Sequence, residues 1–166
     1  LEGETWTVPR KLGSEINTRA RETHASLSAN GKILYFTSDR KGGYGGMDIY
    51  RSKLQDNGEW GAAENLGPTV NTPQDEATPF IHADETTLYF SSKGHKTMGG
   101  FDIFSSKFQP DGSWSVPENI GYPVNTTGDD LAFVVTPDFK RAYYSSHKGG
   151  STNSDIYMIT FIKAIE

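Results

Sequence analysis

The chain has 166 residues, no cysteine, and 16 Lys+Arg against 21 Asp+Glu, a formal net charge of −5. That length holds one ordinary domain with a real core, and the acidic balance leaves no surplus of cations for phosphates, which argues against a nucleic-acid partner. Without cysteine there can be no disulfide, no Fe–S cluster and no thiol nucleophile.

Residues 5–12, led by Trp6, read as an outer strand with no companion strands before it. A lead-in of Gly13, Asn17-Thr18 and the acid Glu22 follows. Residues 25–28 read as a short first strand that stops at the turn signal Ala29-Asn30-Gly31. Residues 32–38 are rich in β formers and make a second strand. A glycine-rich loop at 41–46 leads into a third strand at 47–54. Asp56-Asn57-Gly58 is a hairpin turn, and Trp60 opens a fourth strand or edge segment. Helical periodicity is nowhere sustained. Apolar runs such as 131–135 and 156–162 fall far below the ~20 residues of a membrane helix. Eighteen glycines, eight prolines and 12% aromatics suit a turn-rich β fold.

These elements then recur. Trp6, Trp60 and Trp114 are spaced by 54 residues, as are Asn17, Asn71 and Asn125, and Gly13, Gly67 and Gly121. The acid returns as Glu76 and Asp130. Asp48 and Asp102, each before an Ile-aromatic pair, are 54 apart, and Asp155 follows after 53. Four short antiparallel strands per unit at this period point to an all-β fold of β-propeller blades, three per chain. The units run 13–66, 67–120 and 121–166. Residues 1–12 act as a closing fourth strand, and the third unit lacks its own fourth strand.

The stretch from Ser26 to Arg40, with Asn30-Gly31 and Leu34-Tyr35-Phe36 at its centre, resembles the WD40-like propeller repeat of the TolB type. So does Gly45-Gly46-Met47-Asp48-Ile49-Tyr50. All three units match, with departures in the third: Asn153-Ser154 in place of the Gly-Gly pair and Phe139 in place of the turn glycine. The long unit with its Trp…Leu-Gly…Asn-Thr lead-in is similar to propellers of OmpA-family envelope lipoproteins of Bacteroidetes-type bacteria. The resemblance implies a periplasmic or outer-membrane-associated protein with protein or peptidoglycan-linked partners, and six blades in a closed ring.

Two arrangements satisfy three blades. Two chains pair head to tail as a homodimer, each N-terminal strand completing the partner's last blade. Alternatively, the chain, which starts at Leu1 with no visible leader, is a processed, trimmed or fragmentary piece of a longer protein.

The recurring Trp6, Trp60 and Trp114 are expected to pack adjacent sheets. Asn17, Asn71 and Asn125 are expected to shape the crossovers. Asp48, Asp102 and Asp155 are expected to accept amide bonds from the preceding loop. Glu22, Glu76 and Asp130 precede the innermost strands, so they either form an acidic ring at a channel mouth or bond locally. Residues that vary between units carry specificity. The columns Asp39-Arg40, Lys93-Gly94 and His147-Lys148, with the loops after them, make Arg40, Lys93 and His147 candidate contacts for a partner.

No two of the four histidines stand at metal-ligand spacing, and no Gly-x-Ser-x-Gly elbow occurs. No catalytic residue, metal or cofactor is assigned. The leading expectation is a non-catalytic binding or scaffolding propeller of the cell envelope. Two alternatives stand beside it. One is a metal-assisted polysaccharide lyase working at His24 and the acidic ring of Glu22, Glu76 and Asp130 in the channel. The other is a structural spacer from a longer envelope protein.

Overall fold

The computed structural model describes residues 5–148 and 153–162. The start of the closing strand (1–4), most of the third glycine-rich loop (149–152) and residues 163–166 lie outside the described residues. The fold is all-β, with three antiparallel sheets and no helix long and apolar enough to cross a membrane among the described residues.

The first sheet is β1 (Glu22–Leu27), β2 (Ile33–Ser38), β3 (Asp48–Lys53) and β4 (Glu64–Asn65), in that order. The second repeats it with β5 (Glu76–Ile81), β6 (Thr87–Ser92), β7 (Asp102–Lys107) and β8 (Glu118–Asn119). The third holds β9 (Asp130–Val135), β10 (Arg141–Ser146) and β11 (Asp155–Thr160), with β11 at its edge. The register repeats too: Ser38 faces Asp48, Ser92 faces Asp102 and Ser146 faces Asp155.

The outer strand is shorter than the sequence suggests. It consists of one bridge, Leu54 to Trp60 or Phe108 to Trp114, then a two-residue ladder. Serine hydroxyls explain the gap. Ser52 Oγ donates to the Gly61 carbonyl and Ser106 Oγ to the Ser115 carbonyl, each at 2.6 Å, taking acceptors that a longer ladder would use. Residues 5–12 form no strand in the single chain, and Trp6 is fully exposed.

Each sheet packs on the next through a shared core. Tyr35 and Ile49 of the first sheet join Leu88, Phe90, Phe104 and Trp114 of the second. Ile103 joins Phe133, Val135 and Tyr144 of the third, with Tyr89 packed alongside. Trp114 meets Tyr35 edge-on at 6.2 Å between ring centroids, so this tryptophan packs sheet against sheet. The crossovers turn at Gly67 (φ 86°) and Gly121 (φ 74°), left-handed positions suited to glycine. Asn71 then locks the crossover. Its Oδ1 accepts the Ile49 amide at 2.7 Å and its Nδ2 donates to the Ile49 carbonyl at 2.9 Å. Asn125 does the same to Ile103, at 2.8 Å each way.

Candidate functional site

The first strands of the three sheets lie side by side, β1 beside β5 and β5 beside β9. Each carries a bulge, at 23–26, 77–80 and 131–134. The residue inside each bulge is left-handed without being glycine: His24 (φ 47°), Thr78 (φ 47°) and Ala132 (φ 57°). Left-handed backbone is costly for such residues, most of all for β-branched threonine. Bonds between neighbouring bulges hold it. Thr78 Oγ1 accepts the Ala132 amide at 3.1 Å, and Ser26 Oγ accepts the Ile81 amide at 3.2 Å. A bulge redirects its side chain out of the pleat, and here it brings His24 and Thr78 to the wall of a cleft.

That cleft, about 330 Å³, is lined by Arg21, Thr23, His24, Met47, Ala77, Thr78, Phe101 and Leu131, among others. His24 is exposed, and its Nδ1 lies 2.9 Å from the Thr23 hydroxyl. Arg21 reaches Asp39 at 3.0 Å. Its amide and guanidinium hold the exposed Asp39 carboxyl below the usual carboxylate range. Lys93 sits with its ammonium 4.4 Å from the Phe101 ring centroid. The cleft thus offers a cation, an imidazole, a thioether and an aromatic ring on a strained, fixed frame.

The three acids at the strand starts turn inward. Thr72 donates to Glu76 through its amide at 2.9 Å and its hydroxyl at 2.7 Å, and Ser92 Oγ adds a third bond at 2.7 Å. Glu22 receives the same three donors from Thr18 and Ser38. Asp130 takes both bonds from Thr126. Asp130 is one methylene shorter than glutamate, and the Ser146 hydroxyl has no partner among the described residues. Glu76 and Asp130 are fully buried and bond locally, one of the two arrangements open to them from sequence. Burial pushes the Glu76 carboxyl up to about 7; the Thr72 and Ser92 bonds oppose it, and the nearby Asp48 charge adds to it.

Arg40 is also drawn inside. Its guanidinium stacks near Phe36 and Tyr50 and donates to the Ile16 carbonyl at 2.7 Å and to Glu22 at 3.4 Å. His95 bonds the Val70 carbonyl at 2.8 Å beside Phe90 and Phe104. Lys148 bonds the Pro123 carbonyl at 2.8 Å beside Tyr144 and Tyr157. Each repeat therefore uses one basic side chain to tie its crossover to an aromatic pair. The sequence hides this set, because His95 stands one place off the column of Arg40 and Lys148. Lys93 stays on the exposed face, while His147 is half-buried with its ring 3.0 Å from the Ser154 hydroxyl.

Asp48 and Asp102 accept the Tyr44 and Met98 amides at 2.6 Å and the Asn65 and Asn119 side chains at 2.9 and 2.8 Å. Asp155, their counterpart on β11, is exposed. The glycine-rich loops also have a packing role. A side chain at Gly45 would strike the Thr72 and Pro73 backbone, and one at Gly99 the Thr127 backbone. No protein-family model matches the chain, and no curated protein is detectably similar to it.

Proposed function

We propose that the three sheets are blades of a TolB-type β-propeller, and that the chain is a non-catalytic binding or scaffolding unit of the bacterial cell envelope. Its cleft engages a protein or peptidoglycan-linked partner. One observation carries this reading. Polar side chains shared by the repeats are spent inside the sheets. Side chains that change from repeat to repeat (Arg21, His24, Met47 and Phe101) gather at one cleft. A repeated frame with a variable, chemically mixed cleft suits recognition. The recurring carboxylates Glu22, Glu76 and Asp130 accept hydrogen bonds from Thr18, Thr72 and Thr126.

Co-sedimentation with purified peptidoglycan sacculi, and titration with soluble muropeptides, test the reading. The Arg21→Ala/Phe101→Ala chain should bind about tenfold more weakly while melting at an unchanged temperature. Equal retention of variant and parent would overturn it. Turnover of an acidic polysaccharide that disappears in His24→Ala would replace it with the lyase.

A further inference from the structure

We propose that residues 5–18 of a second copy of this chain complete the third sheet along β11, and that the exchange is reciprocal. The inference goes beyond the binding role and rests on the repeat itself, which shows twice what covers this edge.

Ile49 and Ile103 are both 0% exposed under their crossovers, whereas Ile156, the same position on β11, is 77% exposed. Met158 and Phe161 are exposed along the same edge. At the other end, Trp6, Val8 and Leu12 are exposed in a segment with the pattern of 59–72 and 113–126. Bare edges of this kind recruit strands.

Moved by one repeat, the contacts of the two covered edges name the contacts across the copies. Trp114 bridges Phe108 with rings 5.1 Å apart, which sets Trp6 on Phe161. Glu64 pairs with Arg51, which sets Arg10 opposite Met158. Asn71 brackets the Ile49 backbone, which sets Asn17 on Ile156. Asn65 donates to Asp48 at 2.9 Å, and the residue in its place is Lys11, which meets Asp155. A bond from a neutral amide to a carboxyl inside the chain gives way to a Lys–Asp pair between copies.

The first sheet is ready for the return contact. Its cluster of Ile16, Leu34, Phe36, Tyr50 and Trp60 has, among the described residues, no counterpart of Tyr35 and Ile49, which fill the first join. Hollows of about 490 and 400 Å³ flank residues 10–12 on this face. Tyr143 and Ile156 of the second copy are the pair that fills it. A twofold axis lets both contacts form at once.

The chain has no cysteine, so the register can be read by cross-linking. Arg10→Cys and Met158→Cys replace two exposed side chains whose counterparts pair directly. When the two single variants are mixed and oxidised, a disulfide-linked dimer should accumulate, and neither variant alone should give one. The unmodified chain should have a solution mass of twice 18.3 kDa at micromolar concentration. A monomeric mass overturns the proposal. So does equal cross-linking by the single variants, or a ladder of higher oligomers, which would refute reciprocal closure.

Discussion

The join between the first and second sheets and the free edge of the third are built from the same residues in different surroundings. At the join, Ile49 lies under Leu66 and Val70, with both backbone polar groups taken by Asn71. At the edge, Ile156 is exposed, and the side chain of Asn17, the counterpart of Asn71, donates to the Leu12 carbonyl of its own segment at 3.1 Å. The strand sequences hardly differ: Asp-Ile-Tyr in both. The sheet's own ladder forms in either place, but burial comes from the crossover and the next sheet. In this fold the strand is a local property and the core belongs to the joins.

Substitutions at equivalent positions should separate the two regions. Ile49→Ala should cost about 4 kcal/mol, because it opens a cavity in a closed core. Ile156→Ala should cost under about 1 kcal/mol of a monomer's stability in denaturant unfolding. Asn71→Ala strands the buried Ile49 amide, leaves its carbonyl with the Leu66 amide alone, and should cost about 3 kcal/mol, against under about 1 kcal/mol for Asn17→Ala in a monomer. Equal costs within either pair would break the comparison.

Glu76 gives the join a pH signature. Its carboxyl is raised from the ordinary 4.5 to about 7, so the folded chain holds a proton that the unfolded chain has lost between those values. This contribution is fully present below pH 4.5 and fades as pH rises through 7. Its size is on the order of 3 kcal/mol, at about 1.4 kcal/mol per pH step. Glu76→Gln should flatten that slope in urea melts from pH 4.5 to 8. An unchanged slope would refute the role of the buried carboxyl. The smallest effect belongs to the exposed rim of the same join, where Asn30 donates to Glu85 at 2.7 and 2.8 Å. Asn30→Ala should cost about 1 kcal/mol or less, and a larger loss would move weight from the core to the rim.

Much of this was legible in the sequence, because a 54-residue period fixes strands, turns and crossovers together. Asn30-Gly31 and Asp56-Asn57-Gly58 mark their turns by composition alone. The site was harder to read. The bulges at His24, Thr78 and Ala132 carry no glycine to announce their left-handed backbone. The inward turn of Glu22, Glu76 and Asp130 depends on Thr18, Thr72 and Thr126 four residues earlier. The repeated Asn-Thr showed those threonines without showing what they hold. Arg40 looked like a surface cation because its aromatic bed, Phe36 and Tyr50, comes from two different strands.

Amide hydrogen exchange at Ile49, Ile103 and Ile156 tests the central claim most directly. The first two amides donate to Asn71 and Asn125 inside the chain. They should exchange slowly at every protein concentration. The Ile156 amide should be slow in concentrated protein, where Asn17 of a second copy accepts it, and fast on dilution. An Ile156 amide that exchanges fast at all concentrations would contradict the account.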